Sequence, residues 1–144
     1  MSSITIAQAR AIVAGALGHG RGASMRPLVV LVLDPGGHPV AYEREDAAAP
    51  MRFKVADGKA HGALGLGIGS RALFERAQQQ PFFVQAVNGA FGGRLVPVPG
   101  GVLVRDGEGG AVIGAVGVSG DTSDNDEAAA VAGIKAAGLV GDTG

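Results

Sequence analysis

The stretch of residues 113–127 constrains the fold more than any other part of the chain. Its first part, Ile113–Gly120, mixes β-branched residues with glycine and is typical of a buried strand. Thr122 or Ser123 can then cap the free N–H groups of a helix. Three carboxylates fall in the predicted first helical turn: Asp124, Asp126 and Glu127. Because the positive end of the helix dipole favours anions there, the pattern predicts a strand that passes directly into a helix.

Asp121 and Asp126 are candidates for holding this junction together. Asp121 follows the predicted strand directly, and Asp126 lies near the start of the predicted helix. Acidic side chains at such positions accept hydrogen bonds from backbone N–H groups that no helical carbonyl can reach. We therefore expect both carboxylates to have a structural role.

The other predicted helices follow from caps and apolar spacing. Thr5 and Gln8 form a capping box at the start of the first helix. A second helix is predicted from Pro50 to about Gly67, and Ser70 is expected to cap a third, which ends near Gln79. A short helical turn is expected at Phe82–Asn88. The apolar face of the second helix is predicted to comprise Phe53, Ala56, Ala60, Ala63 and Leu64.

Five apolar segments are predicted to be strands: Leu28–Asp34, Val40–Arg44, Leu95–Val98, Gly101–Arg105 and Ala111–Ser119. Turn residues at Pro35–His38 separate the first two strands, and Asp106–Gly110 separates the last two. Both pairs are therefore expected to form hairpins. Hairpins with helices between them predict an α/β fold of the α+β layered kind, with a five-stranded, mainly antiparallel sheet flanked by helices.

Composition limits the classes of function. The 144 residues carry a formal net charge of −1, whereas nucleic-acid and anionic-membrane partners require concentrated positive charge. The chain has no cysteine, which excludes disulfides and thiolate chemistry. No apolar run reaches the roughly 18 residues of a membrane span. We expect one domain over residues 1–144, located in the cytoplasm, with no nucleic-acid or membrane partner.

Small residues dominate the last predicted helix. The chain has 26 glycines among 144 residues, well above the usual content of about 7%. The last helix adds six alanines: Ala128, Ala129, Ala130, Ala132, Ala136 and Ala137. Because small side chains let two helices approach closely, we expect a homo-oligomer, at least a dimer. A monomer that packs its own helices on one another is the alternative.

Several short segments, taken in order, resemble the GlcG/HbpS-like family. They are Val29–Asp34, Gly36-Gly37, Arg44–Asp46, Lys59-Ala60, Ser70-Arg71, Gly92-Gly93 and Gly114–Glu127. The resemblance runs from about Ile4 to Leu139. It implies a small α/β domain built on an antiparallel sheet, often oligomeric, with haem or iron as the ligand of some members.

Lys59 and His61 are candidate ligand-binding residues in the second helix. The resemblance implies a place in the ligand pocket for Lys59. Residues two apart on an ideal helix point about 200° away from each other, so these two side chains are not expected to face one site. A lone histidine is also more often a surface or packing residue. Together with His19 and His38, His61 lacks the spacing of a preformed metal site, so no metal site is expected; haem, which needs only one protein ligand, remains possible.

The Gly92-Gly93-Arg94 segment is the second candidate ligand-binding surface. Consecutive glycines let backbone N–H groups approach an anion closely. The guanidinium of Arg94 suits a carboxylate, including a haem propionate, and it is expected to act with Lys59 and with Arg52 or Arg71. The alternative is a plain connection with an exposed arginine.

Asp46 and Lys59 are the candidate catalytic residues. Asp46 resembles a recurrent family aspartate at the end of the second strand, and a buried carboxylate there could act as a general base. Two functions remain open. The preferred one is a small-ligand-binding protein with haem or iron as the implied ligand. The other is a cofactor-independent isomerase, hydratase or hydrolase that acts on a small carboxylated metabolite in a catabolic pathway, and Lys59, Arg94 and Asp46 could serve either function.

Overall fold

The computed structural model describes residues 2–144, which form five helices and five strands. The helices are α1 (Ile6–Gly22), α2 (Arg52–Leu66), α3 (Ser70–Gln79), α4 (Pro81–Ala90) and α5 (Ser123–Ala136). The strands are β1 (Val29–Leu33), β2 (Pro39–Arg44), β3 (Gly101–Arg105), β4 (Val112–Ser119) and β5 (Val140–Asp142). No helix in residues 2–144 is long and apolar enough to cross a bilayer.

The strands form one sheet in the order β2-β1-β4-β3-β5, and every neighbouring pair is antiparallel. Helices α1 and α5 cover one face of this sheet, and α2 covers the other. Helices α3 and α4 pack on each other around a smaller apolar cluster that contains Leu73, Val84 and Leu95. The predicted fold class, a five-stranded antiparallel sheet flanked by helices, is confirmed.

The junction between β4 and α5 has the predicted construction. Thr122 is the N-cap of α5, and its hydroxyl accepts a hydrogen bond from the backbone N–H of Asn125 (3.2 Å). The backbone N–H of Asp121 donates to Asp126 Oδ1 (2.9 Å), and Asp121 Oδ1 accepts from the backbone N–H of Arg26 (2.9 Å). Both carboxylates thus bind backbone N–H groups, as predicted.

One predicted strand, Leu95–Val98, is wrong. Leu95 and Val96 instead lie across α2, where the backbone N–H of Val96 donates to the carbonyl of Gly58 (3.1 Å). Pro97 and Pro99 lack the N–H groups that a strand ladder needs. The fifth strand is β5, which pairs with β3 and is fastened by the ion pair of Arg105 with Asp142 (3.0 Å).

Two side chains have surroundings other than those predicted. Ser70 does not cap α3, since Gly69 is the N-cap; the buried Ser70 hydroxyl accepts a hydrogen bond from the backbone N–H of Gly101 instead (2.7 Å). Phe53 is not on the buried face of α2. It is 39% exposed and packs edge-on against Tyr42, with ring centroids 5.1 Å apart.

The small residues of the helices are used within the chain. A Cβ added at Gly15 of α1 would lie 2.9 Å from the Cβ of Ala136 in α5, and one added at Gly133 would lie 3.0 Å from the backbone nitrogen of Ala16. On α2, a Cβ at Gly58 or Gly62 would press on Val96 or Leu95. Internal packing therefore accounts for these glycines, whereas Ala128 and Ala136 of α5 are exposed.

Candidate functional site

Helix α2 presents chemically different faces. Ala56, Lys59, Ala60 and Ala63 are buried against the sheet. Asp57 and His61 lie four residues apart on another side, so their side chains share one face of the helix. The spacing argument that separated Lys59 from His61 is confirmed, because the first is buried while the second is only partly so.

Lys59 forms a buried ion pair beneath α2. Its Nζ donates to Asp126 Oδ2 (3.1 Å) and to the carbonyl of Val118 (3.0 Å), and both charged side chains are 1% exposed. Burial lowers the pKa of Lys59, and the carboxylate of Asp126 opposes that shift. Gly100 leaves room for the ammonium, since a Cβ there would lie 2.8 Å from Nζ. Lys59 therefore bridges α2, β4 and α5, and its ammonium is not open to a ligand.

Arg94 spans the outer face of α2. Its Nε and Nη2 donate to the two carboxylate oxygens of Asp57 (2.8 and 2.9 Å), and Nη2 also donates to the carbonyl of Gly37 (3.3 Å). The hydrogen bonds to Asp57 raise the pKa of Arg94. The preceding Gly92 and Gly93 are exposed and have positive φ angles of 63° and 83°. The loop is thus fixed to α2, with the Arg94 side chain still 43% exposed.

His61 is held on the same face by the same loop. Its Nδ1 lies 3.0 Å from the backbone carbonyl of Arg94. The ring packs edge-on against Phe91, with centroids 5.5 Å apart. Its other edge faces the β1–β2 turn, where a Cβ on Gly37 would lie 3.2 Å from Cδ2. The connection after α4 and the β1–β2 turn therefore fix the orientation of this imidazole.

Two cavities flank these side chains, and we refer to them together as the α2 cleft. The larger, about 330 Å³, is lined by Phe53, Lys54, Asp57, Gly92, Gly93 and Arg94. The smaller, about 110 Å³, is lined by Pro35, Gly36, Gly37, His61, Leu64 and Gly65. The α2 cleft thus gathers four of the five predicted ligand-binding residues: Gly92, Gly93, Arg94 and His61.

The remaining candidate residues lie elsewhere. Asp46 is exposed and lines a separate cavity of about 450 Å³ together with Arg21 and Arg44. Arg52 donates to the hydroxyl of Ser119 (3.2 Å). Arg71 pairs with the first turn of α5, at 2.6 Å from Asp124 and 3.0 Å from Glu127. Within residues 2–144, no group of three or more His, Cys, Asp or Glu side chains could hold a metal ion.

The family assignment follows from a match over most of the chain. The family described as haem degrading protein HbpS-like matches residues 4–135. The chain belongs to the HbpS-like family. No match was found among curated protein sequences. The resemblance of the ordered sequence segments to this family is therefore confirmed.

Solved structures resemble this HbpS-like chain along almost its full length. The ORFY protein of Klebsiella pneumoniae is 27% identical, with a TM-score of 0.85 over 96% of this chain and 92% of that one. A doubly substituted HbpS of Streptomyces reticuli is 26% identical, with a TM-score of 0.80 over 94% and 87% of the two chains. PduOC, solved as a haem complex, is 21% identical, with a TM-score of 0.84 over 95% and 96%. At that identity the last likeness concerns the fold alone.

Sequence reasoning missed two partners in this HbpS-like chain. Asp57 was not identified, although its i, i+4 relation to His61 could have indicated a shared face. Asp126 was placed correctly at the junction, but its second role as the counter-ion of Lys59 joins residues 67 positions apart in the chain. No local pattern in a single sequence carries that information.

Proposed function

We propose that this HbpS-like chain binds haem, an anionic and largely apolar small molecule, in the α2 cleft. The observation that carries the proposal is the pairing of aromatic and cationic side chains on one face of α2. Phe53 supplies apolar surface to the larger cavity, and Lys54 and Arg94 supply positive charge, of which Asp57 balances one. A planar molecule with carboxylate arms requires both kinds of contact.

Two comparisons support haem as the ligand. The family is described as haem degrading, and PduOC, which has the same fold, was crystallised with haem. The larger cavity of the α2 cleft offers one aromatic and two cationic side chains, Phe53, Lys54 and Arg94, which suit the apolar ring and the carboxylate arms of such a ligand. Bound there, haem would supply iron chemistry, while this chain would supply the binding surface and the charges that orient the propionates.

The geometry favours binding over the enzyme alternative. That alternative combined Lys59, Arg94 and Asp46 as acid, base and anchor. Lys59 is instead buried in an ion pair with Asp126, and Asp46 lines a different cavity from Arg94. Because these three groups do not converge, they cannot act on one small carboxylated substrate together.

We expect a titration with ferric haem to shift and sharpen the Soret band at one equivalent per chain. Arg94→Ala should weaken binding about ten- to hundredfold, since a charged hydrogen bond is worth about 1.5–3 kcal/mol and Asp57 would be left unpaired beside the propionates. Arg10→Ala, an exposed arginine on α1 in the opposite layer, is the matched control and should bind like the parent. A parent spectrum that stays that of free haem would contradict the proposal.

We also propose that copies of the chain associate through an exposed apolar patch beside the cleft. Tyr42, Met51 and Phe53 are 37%, 59% and 39% exposed, and Tyr42 lies on the edge strand β2. Edge strands with exposed apolar side chains favour pairing with another chain. This patch supports the proposal in place of the alanine-rich helix.

The expected species in light scattering at micromolar concentration is at least a dimer. Tyr42→Ser with Phe53→Ser should shift the population to the monomer, because the patch loses two aromatic rings. Phe82→Ser is the matched control, since Phe82 is 72% exposed on α4 and should leave the assembly unchanged. A parent protein near 14.2 kDa would rule out self-association.

A further inference from the structure

Asp57 occupies one edge of the Arg94 guanidinium in the larger cavity of the α2 cleft. A guanidinium has five N–H groups. The groups on Nε and Nη2 donate to the two carboxylate oxygens of Asp57 (2.8 and 2.9 Å), and Nη2 also donates to the carbonyl of Gly37 (3.3 Å). Nη1 donates to no group in residues 2–144. An incoming anion therefore finds only the two N–H groups of Nη1 free, unless it displaces Asp57.

The pair of Asp57 with Arg94 resists such displacement. Two parallel hydrogen bonds between a guanidinium and a carboxylate are the strong, charge-assisted arrangement for these groups. The side chain of Asp57 is only 14% exposed, so a displaced carboxylate would lose its partner in a place that water reaches poorly. Because an unpaired, largely buried charge is costly, we expect the pair to stay closed when a ligand binds.

The charges that line the larger cavity match one carboxylate. Two side chains of the lining are positive, Lys54 and Arg94, and one is negative, Asp57. One ligand carboxylate between Lys54 Nζ and Arg94 Nη1 neutralises the remaining positive charge. A second carboxylate in the same cavity would lie near Asp57 and have no free cation as its partner. Like charges at such short range repel each other, the more so where water is partly excluded.

We infer that Asp57 limits the α2 cleft to one carboxylate arm of its ligand, an inference that rests on the proposed haem binding. The two propionates of haem lie side by side on one edge of the ring, so both would otherwise approach the same cavity. With Asp57 in place, one propionate binds between Lys54 and Arg94, and the other extends into water. Asp57 thus determines specificity, because it sets the number of ligand carboxylates that the cleft holds.

The test compares the affinity for ferric haem with that for its monomethyl ester, in which one propionate is uncharged, by absorbance titration. The parent should bind both compounds equally within about twofold, because only one propionate is held. Asp57→Asn keeps the shape of the side chain and one oxygen acceptor for Arg94. This variant should bind haem about tenfold more tightly than the ester, the effect of one additional charged hydrogen bond. Asp106→Asn, the same change at an exposed position of the β3–β4 turn, is the matched control and should keep the affinity ratio of the parent.

The outcomes separate the inference from the proposal on which it rests. A parent that binds neither compound contradicts the proposed haem binding, and the inference fails with it. A parent that binds haem at least tenfold more tightly than the ester holds both propionates, which overturns the inference while haem binding stands. Equal affinities of Asp57→Asn for the two compounds would also overturn it. The comparison in the parent requires no substitution, so it decides the matter if Asp57→Asn disturbs the fold.

Discussion

Replacing Asp126 by alanine is expected to lower the free energy of unfolding by about 3–5 kcal/mol. The carboxylate accepts a hydrogen bond from the ammonium of Lys59 and another from the backbone N–H of Asp121. Its removal leaves the ammonium of Lys59 in a site that is 1% exposed. A buried charge without its partner costs far more than the pair contributes. The same loss also frees a backbone donor at the start of α5.

The measurement is the urea midpoint followed by far-UV circular dichroism. Asp124→Ala is the matched control, because Asp124 lies in the same first turn of α5 but is 78% exposed and pairs with Arg71. It should lose no more than about 1 kcal/mol. Lys59→Met with Asp126→Leu should be more stable than Asp126→Ala, since removing both charges leaves none buried. An Asp126→Ala midpoint equal to that of Asp124→Ala would contradict the ion-pair account.

Gly117→Ala is expected to cost about 3 kcal/mol, the upper range for overpacking. Gly117 on β4 is opposite Gly101 on β3 in the sheet register. A Cβ at Gly117 would collide with the carbonyl of Ala56, and one at Gly101 would collide with the carbonyl of Lys59. The two glycines therefore let the backbone of α2 rest directly on the sheet, and one methyl group forces the helix away.

Gly89→Ala is the control for this substitution. Gly89 lies in α4, and a Cβ added there meets no atom within 4 Å. Alanine is about 1 kcal/mol more favourable than glycine inside a helix, so this variant should be at least as stable as the parent. If the contact with α2 is the cause, the melting temperature of Gly117→Ala should be lower than that of the parent, and that of Gly89→Ala should be equal or higher. Equal melting temperatures for Gly117→Ala and the parent would show that the sheet and α2 accommodate the added methyl group.

The fold could be predicted where local chemistry decides it. Residues close in the sequence determine the cap at Thr122, the capping box at Thr5 and the hairpin turns. These features led to the correct antiparallel sheet. The segment Leu95–Val98 has strand composition, but its pairing partner is the glycine face of a helix. β5 has three residues and exists because β3 offers a free edge. In both segments tertiary packing overrides the local strand propensity.

The site could be predicted only where spacing decides it. Periodicity separated Lys59 from His61, and glycine content identified the loop before Arg94. The ion-pair partner of each charged residue could not be predicted, because Lys59 contacts Asp126 and Arg94 contacts Asp57 only in the folded chain. Lys59 was predicted to bind a ligand, but because it is buried it stabilises the fold instead.

The glycine contacts between α2 and the sheet affect how long a ligand can remain bound. Helix backbone lies against strand backbone on one face of the sheet, and a buried apolar cluster fills the space between the sheet and α1 and α5 on the other. Neither interlayer space can therefore admit a disc the size of a porphyrin. In the proposed complex the haem therefore sits on the rim of the molecule with part of its edge in water. A site of that kind exchanges its occupant with other acceptors in solution, which suits handover or sensing better than long-term storage.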